Sequence, residues 1–340
     1  MKSHRLALNP GLLLTMVTVL ALLAAACSAP QGDSLTVYSG RSEDLVQPLI
    51  DRFEEESGID VTVRYAGSAD LAATILEEGD ASPADVFFAQ DPASLGSVAL
   101  DGLFTPLDDD ILTQVPAEFS DTDGAWVGVS GRARVVVYDS TVVDPASLPP
   151  TEDGFTEPEW AGRVGIAPTN GSFLAFVAAK ILLDGEAATL AWLEGMAANQ
   201  APTFPKNSAI VTAVNQGQVE TGLVNHYYLL GALAEDPEAV GRNHFFTTPT
   251  AGSLVMPAGA GILASSNSAG EAEEFVRFLL GSGAQTYFAD ETFEYPLIPG
   301  VPANSRLPPL GQIAAPTLDL SQLATTLDLA TDLVARAGLL

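Results

Sequence analysis

The stretch SLTVYSGRSEDLVQPLIDRFEEESGIDVTVRYAG, residues 34–67, decides the fold class because it predicts a strand, a helix and a second strand. Its middle part, SEDLVQPLIDRFEEESG (42–58), has the apolar spacing of an amphipathic helix, with Ser42 as the candidate N-cap. The order continues with a helix at 70–79 and a buried strand at 84–90. Strands that alternate with helices at this spacing predict an α/β fold with a largely parallel sheet.

A second α/β unit follows further along the chain. The run RVVVYDS (134–140) predicts its first strand, and helical periodicity returns in FLAFVAAKILL and AIVTAVNQ. A strand at 256–266 and two helices within 271–290 come next, and LDLSQLATTLDLATDLVARAG predicts a C-terminal helix. The length and the order of these elements predict two domains of ordinary size.

The first 26 residues predict a lipoprotein signal peptide. Lys2 and Arg5 precede GLLLTMVTVLALLAAAC, an apolar run with the length of a signal h-region and shorter than a bilayer span. It ends in small residues before Cys27, the only cysteine in the sequence, which can form no internal disulfide. The pattern resembles a bacterial lipobox, so we expect Cys27 to carry the lipid that anchors an extracytoplasmic protein. An ordinary cleavage site beside an unrelated cysteine is the alternative.

The composition is strongly acidic. The formal net charge of −29 becomes −31 once Lys2 and Arg5 leave with the signal peptide, because residues 1–26 contain no acid. Such a chain repels nucleic acid and anionic lipid, so nucleic acid is not an expected partner and membrane contact is expected through the lipid alone. A solvated acidic surface explains the charge at least as well as an electrostatic role does.

Two of the seven tyrosines, Tyr227 and Tyr228, are adjacent in GLVNHYYLLGAL (222–233). TGLV predicts a strand and Asn225 a helix N-cap, so both tyrosines fall in the first helical turn at the carboxyl edge of a strand, where α/β folds bind ligands. Phenolates are hard anionic donors suited to a trivalent cation such as Fe(III). The alternative is a structural pair with one ring in the core and the other at the surface.

Several segments, taken in order, resemble bacterial ferric-ion-binding proteins, the substrate-binding components of Fe(III) ABC importers. The resemblance runs over nearly all of residues 34–300. Besides the opening stretch and the lipoprotein signal, the segments that carry it are ASPADVFFAQDPASL, WVGVSGRARVVVYD, APTNGSFLAF, KNSAIVTAVNQGQVETGLVNHYY, AGSLVMPAGAGILASS and EYPLIPGV.

The resemblance implies a type II periplasmic-binding-protein fold, in which two α/β lobes with mixed, largely parallel sheets are joined by hinge strands and close on iron. It also implies an ABC transporter permease and ATPase as partners, a monomer, and no catalysis. The expected division is 1–26 signal peptide, 27–33 tether, 34–132 first segment of lobe 1, 133–250 lobe 2, 251–305 return segment of lobe 1, and 306–340 C-terminal helical segment packing on lobe 2.

The family's tyrosine pair falls on Tyr227 and Tyr228, which the resemblance makes the metal ligands. Its anion-binding residues fall on the Asn170-Gly171-Ser172 turn, Asn207 and Asn225. Backbone N–H groups at helix starts suit a synergistic carbonate or phosphate. Citrate is the third candidate anion, and Fe(III) is the expected cargo.

The chain departs from the family in the first lobe. Well-known members place a histidine and a glutamate on the metal where this chain has Ser42 and Gln90. Others add a third tyrosine at the position of the Asn170–Ser172 turn, where this chain has none. Ser42 and Gln90 therefore remain candidates for extra ligands or for contacts behind the ligands.

Other polar residues could complete the site. Arg41 is the expected anion-holding residue, with Arg132 and Arg134 as further candidates. Asp91 is a candidate ligand, although a carboxylate that opens DPASL is more often a helix cap. His226 should point away if both tyrosines face the cleft, and we leave it out of the metal site.

Other kinds of chemistry lack a sequence basis. The chain has no HExxH, CxxC, GxxxxGK or GxSxG motif. The alternative to iron is the same fold with another cargo: a phosphonate, another organic anion, a polyamine or a thiamine-type ligand. A polyamine or thiamine site would need aromatic boxes and carboxylates, whereas an organic-anion site would need several convergent arginines.

Overall fold

The computed structural model describes residues 34–340, which form ten strands and eleven α-helices. The strands are β1 (Ser34–Ser39), β2 (Asp60–Tyr65), β3 (Val86–Ala89), β4 (Phe104–Thr105), β5 (Val127–Asp139), β6 (Val164–Gly165), β7 (Thr221–Asn225), β8 (Gly241–His244), β9 (Val255–Leu263) and β10 (Tyr295–Pro296). The helices are α1 (Glu43–Ser57), α2 (Ser68–Glu78), α3 (Pro92–Leu100), α4 (Asp109–Leu112), α5 (Gly171–Asp184), α6 (Glu186–Ala198), α7 (Asn207–Asn215), α8 (Tyr227–Glu235), α9 (Ala269–Leu279), α10 (Ser282–Asp290) and α11 (Leu323–Arg336). The predicted signal peptide, Cys27 and the tether lie outside the described residues.

The strands form a mixed sheet in the order β2-β1-β3-β9-β5-β7-β6. In the first lobe β1 runs parallel to β2 and β3, and β9 runs antiparallel to β3 and β5. In the second lobe β6 runs parallel to β7, while β7 and β8 run antiparallel to β5. Together with the flanking helices, this arrangement confirms the predicted α/β class with mixed sheets.

Strand β5 is shared by the two lobes. Its first half pairs with β9 and β10, and its second half pairs with β7 and β8. The exchange of partners falls between Ala133, which faces Val255, and Arg134, which faces Asn225. The sequence predicted that this strand begins at residue 134, whereas it begins at Val127 and is buried along its whole length. The glycines and polar residues of VGVSGRA lack the apolar pattern by which a buried strand is recognised.

Alternation along β5 places Arg132 and Arg134 on one face of the strand, since side chains two residues apart share a face. On the other face, Val135 and Val137 belong to a compact apolar cluster with Val224 and Leu229. The strand therefore presents its charged residues to one side at the junction of the lobes and is held in place by the core on the other.

Helix α7 packs directly on β7 and so fixes the segment that leads to the tyrosine pair. A Cβ atom built on Gly222 would clash with Ile210 Cγ2, so glycine at this position allows the close approach of helix and strand. Tyr228 packs against the same apolar cluster.

The C-terminal helix α11 contacts both lobes. It packs along α5, where the hydroxyl of Thr326 donates to the carbonyl of Ala178 at 3.2 Å. It also packs on α3, where a Cβ on Gly96 would lie 2.9 Å from Ala324 Cβ. The prediction placed this segment on the second lobe; the structure adds the contact with the first. Among the described residues, no helix has the length and apolar character that a membrane span requires.

Candidate functional site

The tyrosine pair lies where β7 ends and α8 begins. Tyr227 is 5% exposed, Tyr228 is half-buried, and their rings stack with centroids 4.2 Å apart at 29°. Neighbouring residues in mid-helix point about 100° apart. At the first turn of α8 the two rings instead lie together, so the residues predicted as metal ligands face the same space.

Asn225 does not cap the helix as predicted. It is the last residue of β7, and His226 occupies the N-cap position in the right-handed helical region without a side-chain capping bond. The pairing of β7 with β5 sets Asn225 opposite Arg134, and its Oδ1 accepts a hydrogen bond from Arg134 Nη1 at 3.3 Å. Its buried Nδ2 group has no hydrogen-bond partner among residues 34–340, so Asn225 keeps a donor available there.

Three buried arginines lie close enough to the tyrosine pair for their charges to act on it. Arg132 and Arg134 come from β5 and Arg41 follows β1, and each is at most 2% exposed. Arg132 Nη2 donates to the carbonyl of Pro257 at 3.1 Å. Within the part of the chain that the structure describes, several of their groups have no hydrogen-bond partner: Arg41 Nη1, Arg132 Nε, Arg132 Nη1 and Arg134 Nη2. Buried guanidinium donors are normally satisfied, so these groups are available to an acceptor such as an anion.

Glu294, just before β10, is a site residue that sequence reasoning missed. Its Oε2 accepts hydrogen bonds from Arg41 Nη2 and from the hydroxyl of Ser130, both at 2.9 Å, and from the hydroxyl of Thr292 at 3.2 Å. Its Oε1 lies 3.9 Å from Arg132 Nε. The acid was quoted in EYPLIPGV without a role, and no local pattern connects it with an arginine 253 positions away.

The charges of the site are mutually dependent. Burial, together with Tyr228, raises the pKa of Tyr227 well above its ordinary value, while Arg132 and Arg41 act to lower it. Burial lowers the pKa of Arg134 to about 10, against the influence of Tyr228. Burial also opposes the charge of Arg41, yet Glu294 and the tyrosines raise its pKa. Because its pKa is raised, the Tyr227 phenol keeps its proton until a cation binds and displaces it.

The residues predicted to hold the anion in the second lobe form a second polar group. Asn170 caps α5, and its Oδ1 accepts from the backbone N–H of Ser172 at 3.1 Å and from the Ser172 hydroxyl at 2.6 Å. Asn207 Nδ2 donates to Asn170 Oδ1 and Ser172 Oγ. A Cβ on Gly171 would meet nothing within 4 Å, so open space lies beside this helix start. Because β6 and β7 are parallel neighbours, the turn after β6 and the tyrosines after β7 lie at the same sheet edge.

The first-lobe candidates Ser42, Gln90 and Asp91 make local contacts or none. Ser42 is exposed before α1 and makes no side-chain capping bond. Gln90 is half-buried, and its backbone N–H donates to Ser68 Oγ at 2.8 Å. Asp91 caps α3, with both carboxylate oxygens bound to Ser94. The geometry therefore supports Asp91 as the N-cap of α3.

His226 uses both ring nitrogens on the backbone. Nδ1 accepts from the N–H of Ala133 at 3.1 Å, and Nε2 lies 2.8 Å from the carbonyl oxygen of Phe293, to which it donates. The ring thereby joins the start of α8 to β5 and to the residue before Glu294. Burial lowers the pKa of His226 to about 4, so the ring is neutral, and its two backbone contacts give it the part of a structural link.

A cluster of three carboxylates, Glu152, Asp153 and Asp184, is close enough to hold a cation. Lys180 Nζ already lies among them, at 3.1, 2.6 and 2.7 Å from their respective oxygens. The ammonium group satisfies these acids, and the cluster is a structural ion-pair network.

Comparison with known proteins identifies relatives of this chain. A family model described as bacterial extracellular solute-binding protein matches residues 81–319. The Fe(3+)-binding periplasmic protein of Serratia marcescens is 35% identical over 343 residues, covering 100% of both chains. The major ferric iron-binding protein of Neisseria meningitidis serogroup B is 34% identical over 325 residues, covering 94% of this chain and 98% of that protein.

Solved structures agree with this relationship. Iron-bound HitA from Pseudomonas aeruginosa matches with a TM-score of 0.86 at 33% identity, covering 90% of this chain and 99% of that chain. A Trichodesmium protein in complex with iron and citrate matches with a TM-score of 0.79 at 28% identity, with coverages of 90% and 99%. The type II periplasmic-binding-protein fold implied by the sequence is confirmed.

The buried neutral histidine predicts a pH-dependent stability. The folded-state pKa of about 4 lies below the ordinary value of about 6.5. The unfolded chain therefore takes up a proton first, and stability present above about pH 6.5 is lost as the pH falls towards 4, by up to about 3 kcal/mol. We expect His226→Gln to remove this part of the slope in denaturant unfolding at stepped pH. Parallel stability curves for parent and variant would contradict the assignment.

Proposed function

Because this chain belongs to the bacterial extracellular solute-binding proteins, within the ferric-ion-binding group, we propose that it captures Fe(III) in the cleft between its lobes. Tyr227 and Tyr228 act as the protein ligands, and an anion completes the coordination. The observation that carries the proposal is the stacked tyrosine pair beside three buried arginines. The function is binding and delivery, with no catalytic step.

The environment of the tyrosines suits this role. An Fe(III) ion replaces the phenolic protons and so removes the penalty of ionising a buried phenol. Arg41 and Arg132 already act to lower the pKa of Tyr227. Both arginines therefore favour the phenolate form of Tyr227 once the metal displaces its proton. Hard oxygen donors also favour Fe(III) over softer divalent ions.

The charges of the arginines, Glu294 and the metal support an anion as the second component of the site. Arg41, Arg132 and Arg134 contribute three positive charges, and Glu294 contacts two of them with one negative charge. Fe(III) with two phenolates adds one further positive charge. Carbonate, phosphate or citrate would offset this excess and use the free donors of the arginines and of Asn225, together with the helix starts at Asn170–Ser172 and Asn207.

Position and partners follow from the family. We propose that the protein works outside the cytoplasm, as the periplasmic relatives do by their names, and delivers iron as a monomer to an ABC transporter permease and its ATPase. The lobes would close on the ion and reopen at the permease. A lipid on Cys27 would hold the protein at the membrane.

A second candidate deserves a test because of the arginines. An organic-anion site was expected to have several convergent arginines, and three are buried beside the tyrosines. An organic anion or phosphonate bound without metal is therefore the alternative cargo. It predicts tight anion binding in the absence of Fe(III), whereas the iron proposal predicts that anion and metal bind together.

The tyrosine ligands can be tested by removing single hydroxyl groups. We expect Tyr227→Phe and Tyr228→Phe each to fold and to lose most of the Fe(III) affinity, since each loses an anionic donor. The double variant should lose the visible phenolate-to-Fe(III) charge-transfer band and the rise in melting temperature on iron loading. Absorbance titration and thermal unfolding with Fe(III) citrate measure both effects.

Tyr138 on β5 is the matched control. Its ring packs in the core away from the pair, and Tyr138→Phe should bind Fe(III) nearly as the parent does. A change of about 1 kcal/mol in stability, without change in iron binding, is what a purely structural tyrosine gives. That outcome at both Tyr227 and Tyr228 would end the metal proposal.

Removal of anions tests the second part of the proposal. In buffer free of carbonate, phosphate and citrate, we expect the affinity for Fe(III) to fall sharply, because the excess positive charge is no longer offset. Adding back one of the three anions should restore the charge-transfer band. Equal iron binding with and without all three would mean that the protein alone completes the coordination.

The anchor is tested separately with Cys27→Ser. Without the thiol that carries the lipid, the protein should move from the membrane fraction to the soluble fraction on cell fractionation. Its affinity for Fe(III) should equal that of the parent. A variant that stays with the membranes as the parent does would show that Cys27 is not the point of attachment.

A further inference from the structure

Glu294 occupies a distinctive place in the site. It is fully buried, it comes from the return segment of the first lobe, and it contacts the guanidinium groups of Arg41 and Arg132. Three hydrogen bonds reach its Oε2, from Arg41, Ser130 and Thr292. Its Oε1 is 2.9 Å from the same Arg41 Nη2 without hydrogen-bond alignment, and it has no other donor.

These contacts hold Arg41 in a defined orientation. The pair with Glu294 uses Nη2 of Arg41 and leaves Nη1 without a partner. Arg41 also lies close enough to both tyrosines for their charges to raise its pKa. The free Nη1 donor and the metal-binding phenols therefore belong to one site, and Glu294 fixes the guanidinium that connects them.

Glu294 also sets the charge of the site. The other buried acid near Arg132 is Asp91, whose two oxygens already bind Ser94. Glu294 is thus the carboxylate that directly contacts the arginines among the described residues. A unit charge a few ångströms from a bound anion changes the free energy of binding in proportion to the charge of that anion. A trianion is repelled more by Glu294 than a dianion is.

We propose that Glu294 is a specificity-determining residue of this site. By fixing Arg41 and offsetting the positive charge of Arg41 and Arg132, it limits the negative charge of the anion that binds with the metal. It thereby favours a dianion such as carbonate over a trianion such as citrate. This inference rests on the proposed capture of Fe(III) with an anion.

The test compares two anions in the full mature protein. Carbonate or citrate is titrated into anion-free protein with Fe(III) supplied from a fixed concentration of nitrilotriacetate, and the midpoint of the charge-transfer absorbance is recorded for each. In Glu294→Gln the ratio of the two midpoints should shift towards citrate by about tenfold or more, because one negative charge is removed. Glu294→Asp keeps the charge and should keep the ratio within about threefold of the parent.

Asp85→Asn is the matched control. Asp85 is another buried carboxylate of the first lobe, and it accepts hydrogen bonds from the backbone N–H of Thr36 and the hydroxyl of Ser266. It precedes β3, whereas Gln90 follows β3, so the two residues lie at opposite ends of that strand. Its neutralisation should leave the ratio unchanged. A folded Glu294→Gln that keeps the parent ratio would overturn the inference, and so would an equal shift in Asp85→Asn.

Ser130→Ala provides a second route if Glu294→Gln does not fold. The Ser130 hydroxyl stabilises the carboxylate at 2.9 Å, so its loss leaves more of the negative charge unscreened. The ratio of the carbonate and citrate midpoints should then shift towards carbonate, by about threefold. No shift in Ser130→Ala would overturn the inference. Failure of the parent itself to bind Fe(III) with either anion would refute the proposed function, which is a separate result.

Discussion

The burial of three guanidinium groups at the junction of the lobes is the constraint on which the site depends. Removing a charge from water is costly unless it is paired, and among the described residues a single acid, Glu294, contacts two of these arginines, Arg41 and Arg132. The arrangement persists because Arg132 and Arg134 belong to β5, whose opposite face is embedded in the core of the second lobe. The packing of β5 thus keeps Arg132 and Arg134 buried although their charges are costly there, and a ligand could accept hydrogen bonds from them.

The same constraint bears on the proposed binding of a trivalent cation together with an anion. A buried phenol resists ionisation, and Arg41 and Arg132 reduce that resistance at Tyr227. Among the described residues, the buried arginines in turn retain donors without a hydrogen-bond partner. In the proposed site, metal and anion would each remove a penalty that the other leaves, which would make their binding mutually dependent.

The fold could be predicted because its signals are local. The alternation of strands and helices in residues 34–67 already defined the class, and the adjacent tyrosines were visible as a pair. Asn225 was wrongly assigned as a helix cap, because an asparagine before a helix has the features of a cap. The pairing of its strand with β5 instead makes Arg134 its hydrogen-bond partner. Glu294 was missed because its contact with Arg41 spans 253 positions and arises only from the return of the chain to the first lobe.

The C-terminal helix α11 has a mechanical consequence. A two-lobed protein joined only by crossing strands can open by rotation about those strands. Here α11 packs on α5 of one lobe and on α3 of the other, with Gly96 permitting contact too close for any side chain. Any relative motion of the lobes would therefore have to include sliding at one of these helix interfaces, so the proposed closure would combine hinge and shear. Helix packing remote from the tyrosine pair would then limit how far the lobes open.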